Sequence, residues 1–164
     1  MVTRYRLAPM SPPILILTLL LLLLPLAFFV AAYSRHRLFA LPALFLVFID
    51  AWIWLWFRPT EFLVSPTDLE VIWPLRRRTI ARATITGVRR VNRGDVRAET
   101  GWALRVGAGG MWGGFGFLWT ARRGIVRMYV SQLNDFVWIE RGREQPWLLT
   151  PEEPDAFVHA LSSS

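Results

Sequence analysis

The sequence predicts a hairpin of two membrane-spanning helices followed by an all-β domain that ends in one helix. Residues 14–33 and 38–57 are two apolar stretches that together contain one charged residue. From residue 60 onward, apolar and polar side chains alternate along short segments separated by turn residues, a pattern typical of antiparallel strands. The last residues return to helical spacing. Residues 58–164 are long enough for one small domain with its own core.

The composition supports a membrane protein and excludes several kinds of chemistry. Of the 164 residues, 54% are hydrophobic and 19% are charged, whereas about a quarter of a soluble domain is charged. The chain has no cysteine and its 19 basic residues are all arginine, which excludes disulfides, thiolate chemistry and lysine Schiff bases. The two histidines, His36 and His159, have no partners for a metal site or a triad. We therefore expect no enzyme activity, catalytic residue, cofactor or metal.

Each apolar stretch is long enough to cross a hydrocarbon core of roughly 30 Å as a helix. The first contains Pro25, which bilayer helices tolerate. The second ends with three tryptophans where a helix would meet the headgroups; these predicted interfacial residues are Trp52, Trp54 and Trp56. The connection at 34–37 is so short that the two helices must run antiparallel. Residues 1–13 would then be a short basic tail.

A cleaved signal peptide is the alternative interpretation of the first stretch. Residues 1–6 are basic, and residues 30–32 resemble a cleavage site. However, the apolar run exceeds the usual length of about 7–15 residues, and a second span follows at once. We therefore expect both helices to be retained.

Asp50 is the charged residue inside the second span. A carboxylate at that depth marks a proton or ion relay in many membrane proteins. The spans offer it no basic partner, so we expect a structural or oligomer contact instead.

The arginine count predicts the side on which the domain lies. The arginines near the outer ends of the hairpin are Arg4, Arg6, Arg58 and the run at 76–78, and those of the connection are Arg35 and Arg37. Because cytoplasmic segments carry the excess of arginine, we expect both termini and the domain to be cytoplasmic.

Nine segments after the hairpin have the strand pattern. They are 60–65, 68–74, 79–83, 86–92, 102–107, 114–120, 124–131, 134–140 and 146–149. Asn134 and Asp135 predict a turn that joins the strands on either side into a hairpin. At the end of the chain, Thr150 and Glu153 fit a capping box for a helix over about 151–161, although Pro154 would shift its start a few residues later.

Several short motifs carry a family resemblance when taken in order. They are FLVSPTDLEV at 62–71, GGFG at 113–116, GIVRMYV at 124–130, VWI at 137–139 and LTP at 149–151. With the preceding hairpin, they resemble a bacterial membrane-anchored pleckstrin-homology (PH)-like domain family over residues 60–161. The resemblance implies a β-sandwich or barrel of about seven antiparallel strands capped by a C-terminal helix, and no catalytic residues. Since nine segments exceed seven strands, one or two would be loops or halves of one strand.

The glycine-rich segment at 107–116 has two interpretations. Glycines let backbone N–H groups converge on an anion, but the segment lacks the GxGxxG register and no helix pattern follows it. We expect a bulged loop that tucks Met111 and Trp112 against the barrel. Alternatively, these two side chains dip into the membrane interface.

The arginines of the domain occur in three groups, and either a solvated surface or contact with anionic headgroups explains them. The candidate contact residues are Arg76, Arg77, Arg78, Arg89, Arg90, Arg122 and Arg123. Interleaved acids argue against nucleic acid as a partner.

The sequence thus predicts a non-catalytic, multi-pass protein of the bacterial inner (plasma) membrane. Its domain would scaffold protein–protein or homo-oligomeric contacts, for instance by accepting a strand at a sheet edge. The alternative is a module that binds anionic phospholipid headgroups through surface arginines.

Overall fold

A computed structural model describes residues 2–34 and 36–163. The first third of the chain forms helix α1 (Pro12–Ser34) and helix α2 (Ala40–Trp56), with a short 3-10 turn (Arg37–Phe39) before α2. By length and composition, both helices are apolar enough to cross a membrane. They pack against each other, and Pro25 and Ala43 are buried.

A four-stranded antiparallel sheet begins with a strand that precedes the hairpin. Its order is β1 (Thr3–Arg6), β2 (Glu61–Val64), β3 (Asp68–Ile72) and β4 (Arg77–Ala81). Residues 3–6, which the sequence analysis assigned to a basic tail, therefore belong to the domain sheet, with Thr3 opposite Val64. The alternation of Tyr5 and Leu7 with Arg4 and Arg6 could have indicated this strand. In the structure, both apolar side chains are buried.

The N-terminal segment is also joined to the far end of the chain. The Ala8 N–H donates to the Thr150 carbonyl at 2.9 Å, and the Ser131 hydroxyl donates to the Ala8 carbonyl at 2.6 Å. The Ser131 N–H in turn donates to the Thr150 hydroxyl at 2.9 Å. These buried groups satisfy one another, so the segment that leads into α1 is hydrogen-bonded to the domain.

The second sheet has six strands. Its order is β5 (Gly87–Val91), β9 (Phe136–Glu140), β10 (Trp147–Leu149), β8 (Gly124–Val130), β7 (Gly114–Thr120) and β6 (Ala103–Gly109). The hairpin expected around Asn134 and Asp135 is wrong, because β10 lies between β8 and β9 and pairs in parallel with β8. All nine predicted segments contain strands, so with β1 the described residues hold ten, more than the seven that the resemblance implied.

The two sheets pack as a sandwich rather than closing into one barrel, and a helix caps it. The shared core includes Phe62 and Leu69 of the first sheet and Trp147 of the second, all fully buried. Helix α4 (Pro154–Ser162) adds Phe157 and Leu161 to this core. It starts at Pro154, the later start that this proline predicted. The capping box expected from Thr150 is absent, and the Thr150 hydroxyl accepts from the Ser131 N–H instead.

A short helix between β5 and β6 was missed by the sequence analysis. Helix α3 (Arg93–Thr100) packs Val96 against a second core on the outer face of the six-stranded sheet. Its signal was present, because Asn92 and Asp95 form a reciprocal capping box. Its two apolar side chains, Val96 and Ala98, are two positions apart and so form no helical stripe to recognise.

A candidate anion-binding cleft beside helix α2

The turn between β3 and β4 lies at the end of the domain from which α1 and α2 extend, here called the helix-proximal end. The Trp73 indole N–H donates to the Phe57 carbonyl, directly after α2, at 3.0 Å. The Trp73 N–H closes the turn by donating to the Arg76 carbonyl at 2.8 Å. Between them Leu75 is 58% exposed, so an apolar side chain protrudes from the turn beside the helices.

Four arginines surround a cleft next to this turn. The cleft has a volume of about 180 Å³ and is lined by Trp73, Arg76, Arg77, Arg78, Arg127 and Tyr129. The Arg76 guanidinium lies 4.4 Å from the centre of the Trp73 ring. Arg127 stacks over Phe117 at 4.7 Å and its Nη1 donates to the Tyr129 hydroxyl at 3.4 Å. The aromatic rings therefore hold two of the guanidinium groups in defined planes.

The cleft is a site of uncompensated positive charge. Within residues 2–34 and 36–163, none of its four arginines forms an ion pair with Asp or Glu. Behind it lies Arg141, which is 7% exposed and pairs with Glu144. Burial lowers the pKa of Arg141; Glu144 opposes this, while the charges of Arg78 and Arg127 lower the pKa further. Positive groups from three segments thus converge where an anion would be stabilised.

The other predicted arginines are satisfied inside the domain. Glu99 of α3 receives Arg89 at 2.6 Å and Arg123 at 3.0 Å, and the hydrogen bond to Arg89 is the main cause of the lowered pKa of Glu99. Arg90 bridges two acids, Asp135 and Asp155.

Arg122 also serves the domain itself. Its Nη1 donates to the Ala98 carbonyl near the end of α3 at 2.7 Å, where the last carbonyls of a helix need donors. The sequence analysis therefore treated seven arginines as one set of candidate contacts, whereas in the structure only Arg76, Arg77 and Arg78 line the cleft. The sequence analysis missed Arg127 and Tyr129, because their alternation in β8 resembles any half-buried surface. It also missed Arg141, which follows the end of β9 and lies outside the three arginine groups.

Trp112 packs against the shared core of the two sheets, as expected, and also contacts both helices. The Trp112 N–H donates to the Thr18 hydroxyl of α1 at 2.9 Å, and the Trp112 ring meets Trp54 of α2 edge to face at 4.6 Å. Met111 is buried beside it. The tip of the β6–β7 hairpin therefore ties the domain to both helices.

The remaining predicted contacts lie on α2. Trp52 and Trp56 stack at 5.4 Å, and Trp54 also receives the Arg58 guanidinium at 4.4 Å. Burial lowers the pKa of Arg58. Asp50 lines an open groove of about 560 Å³ between the helices, with apolar neighbours such as Leu22 and Phe29. Among the described residues, no group of three His, Asp or Glu side chains could hold a metal ion.

Comparison with known proteins agrees with this architecture. The family model described as Bacterial PH domain matches residues 60–164. No curated protein and no solved structure matches the chain. PH-like domains are generally non-catalytic, and a domain of two packed sheets with a C-terminal helix is what the match implies. The chain belongs to the bacterial PH domain family.

Proposed function

We propose that the protein is an integral protein of the bacterial inner membrane whose PH domain binds the anionic headgroups of the membrane that holds it. One observation carries the proposal: Arg76, Arg77, Arg78 and Arg127 surround a cleft beside the end of α2 and, among the described residues, have no acidic partner. If α1 and α2 cross the bilayer, this cleft lies at headgroup level. The exposed Leu75 then enters the interface beside it.

The energetics favour phosphate at this place. Each arginine near an anionic surface contributes about 1 kcal/mol, but only within a Debye length of about 8 Å. The Trp73 hydrogen bond to Phe57 keeps the cleft within that distance of the helix end. A guanidinium offers two parallel donors to one phosphate group, and stacking on Trp73 orients the donors of Arg76 in advance.

The test is a titration of the full chain in a neutral detergent. The full chain is required because β1 and Ala8 belong to the domain. Short-chain phosphatidylglycerol and phosphatidylcholine are added separately, and binding is followed by calorimetry. We expect binding of the anionic lipid only, weakened by Arg76→Ala and unchanged by Arg143→Ala, which removes an exposed arginine elsewhere. Equal binding of the two lipids contradicts the proposal.

We also propose that the domain faces the cytoplasm. The support is the arginine count at the outer ends of the hairpin. Strand β1 precedes α1 and strand β2 follows α2, and their pairing keeps these two ends together. The chain has no cysteine of its own, so single cysteines at Ser34 and Ser163 can be probed on intact cells with an impermeant maleimide. Labelling at Ser34 alone is expected, and labelling at Ser163 alone reverses the orientation.

A second candidate function is a scaffold that pairs with a second copy of the chain. Strand β6 ends the six-stranded sheet, and four exposed apolar side chains lie beside this edge on one face: Leu104, Val106, Trp119 and Ile125. Such a face next to a free edge is suited to strand addition. Light scattering of the full chain in detergent should give a dimer that Leu104→Glu with Trp119→Glu dissociates. A monomeric parent contradicts this candidate and leaves the lipid titration unaffected.

A further inference from the structure

A second cleft lies on the opposite face of β8 from the anion-binding cleft. Arg127 and Tyr129 face the first cleft, so Met128 and Val130 alternate to the other side. There, α3 and the strands β6, β7 and β8 enclose a volume of about 410 Å³, within the range of small-molecule pockets.

The floor of this second cleft is apolar. Met128, Val130 and Leu148 are buried beneath it, and Val96 and Leu118 are half-buried at its sides. Helix α3 is only eight residues long and packs a single valine on this face. It therefore leaves part of the hydrophobic surface open, and an apolar ligand gains by covering it.

Arginines surround the mouth of the cleft. Arg93 and Arg97 are one turn apart on α3, and Arg105 faces them from β6. In the described part of the chain, none of the three pairs with a carboxylate. The acids of α3 are engaged elsewhere, because Asp95 caps the helix and Glu99 binds Arg89 and Arg123.

The glycine-rich segment makes room for Arg105. A Cβ at Gly109 would lie 2.9 Å from the Arg105 Cδ, and one at Gly114 would lie 3.3 Å from its Cζ and 2.9 Å from the Met128 Cε. Side chains at these two positions would crowd Arg105 and force its guanidinium to shift. The glycines therefore seat a guanidinium group directly beside the apolar floor.

One end of the cleft reaches the start of α1. Leu133 lines it, and the carbonyl of the nearby Ser131 accepts from the Ser11 N–H, directly before α1, at 3.3 Å. An amphiphile leaving a bilayer around α1 would therefore enter here.

We propose that this second cleft binds a fatty acid, with its carboxylate among Arg93, Arg97 and Arg105 and its acyl chain on the floor formed by Met128, Val130 and Leu148. The charge of the rim selects an anionic head, and the apolar floor selects a hydrocarbon tail. This site is separate from the headgroup cleft, because the two lie on opposite faces of β8.

The test uses the full chain in neutral detergent and a photoreactive fatty acid whose diazirine lies near the end of the chain. After irradiation, adducts are mapped to peptides, with oleate and uncharged methyl oleate as competitors. We expect adducts between residues 118 and 136 that oleate removes and methyl oleate does not. Because charged hydrogen bonds carry the recognition, Arg97→Ala with Arg105→Ala should reduce these adducts about tenfold, as should filling the cleft with Leu118→Trp.

Two controls keep the outcome decisive. Arg143→Ala removes one exposed arginine and should leave the adducts unchanged, whereas Arg76→Ala with Arg78→Ala should affect only headgroup binding. Adducts confined to residues 12–56, or equal competition by methyl oleate, overturn the proposal. If Leu118→Trp does not fold, the double variant Arg97→Ala with Arg105→Ala still decides the result.

Discussion

Two sets of arginines in this domain look alike in the sequence and differ in their surroundings. Arg89, Arg90 and Arg123 reach carboxylates of Glu99, Asp135 and other acids, so their charges are neutralised within the domain. Arg76, Arg78 and Arg127 lie over aromatic rings and line one cleft with Arg77, and no described acid pairs with these four arginines. Only the second set is available to an external anion.

The difference teaches that position relative to the helices matters as much as charge. Arg123 lies in the turn after β7, about 20 Å along that strand from the hairpin tip that touches α1. Arg76 lies in the turn whose Trp73 bonds to the residue after α2. A membrane around the helices would thus be near Arg76 and beyond the reach of Arg123.

The most direct test of this difference is to remove arginines that have no described acidic partner. Arg76→Ala with Arg78→Ala and Arg127→Ala should weaken binding of short-chain phosphatidylglycerol roughly a hundredfold, at about 1 kcal/mol per arginine. The matched control is Arg89→Ala with Arg90→Ala and Arg123→Ala, which removes the same charge. Calorimetry of the full chain measures both, and an equal loss in the two triples would mean that only net charge matters.

The paired set is tested by Glu99→Gln, which leaves Arg89 and Arg123 without their shared carboxylate. The free energy of unfolding should fall by about 1 kcal/mol, since the ion pairs are partly exposed, with no change in lipid affinity. Thermal unfolding followed by circular dichroism measures this, and Gln145→Ala, at an exposed position, serves as a surface control. A loss of lipid affinity would show that the arginines paired with Glu99 also take part in lipid binding.

The lowered pKa of Glu99 predicts that the stability of the domain depends on pH. Glu99 has a pKa below the ordinary value of 4.5, so its contribution to stability is present above pH 4.5 and is lost as the pH falls through the lowered pKa. The gap in melting temperature between the parent and Glu99→Gln should therefore close in acid. A gap that stays constant down to that range contradicts the ion-pair interpretation.

Geometry within the cleft is tested by exchanging arginine for lysine. Arg76 stacks on Trp73, and lysine keeps the charge but loses the planar fork. Arg76→Lys should weaken lipid binding about threefold, whereas Arg77→Lys, at a position without a described stacking partner, should change it less. Identical effects in the two titrations would indicate diffuse attraction, in which case added salt should weaken binding steeply.

The smallest effect is expected at Arg90. Its side chain is 46% exposed although it bridges Asp135 and Asp155, so solvent screens both pairs. Arg90→Ala should therefore lower the free energy of unfolding by less than Glu99→Gln does. A loss several times larger, measured by thermal unfolding against Arg143→Ala, would show that this bridge orders helix α4.

Regular patterns made much of the fold predictable. The two apolar stretches and the nine alternating segments correspond to α1, α2 and β2 through β10, because period and length report local structure directly. Strand β1 and helix α3 were missed for opposite reasons. Residues 3–6 are too few to outweigh the apolar run behind them, and α3 is held by its caps rather than by an apolar stripe.

What the sequence alone determined is the order of the elements, the absence of cysteine and lysine chemistry, and the family to which residues 60–164 belong. What only the tertiary structure decided is which charges meet. The insertion of β10 between β8 and β9, the union of β1 with β2 and the pairing of Glu99 with Arg89 and Arg123 all join residues distant in the chain. Such pairings depend on packing between elements, which no local period encodes, and they leave Arg76, Arg78 and Arg127 together without a described acidic partner beside α2.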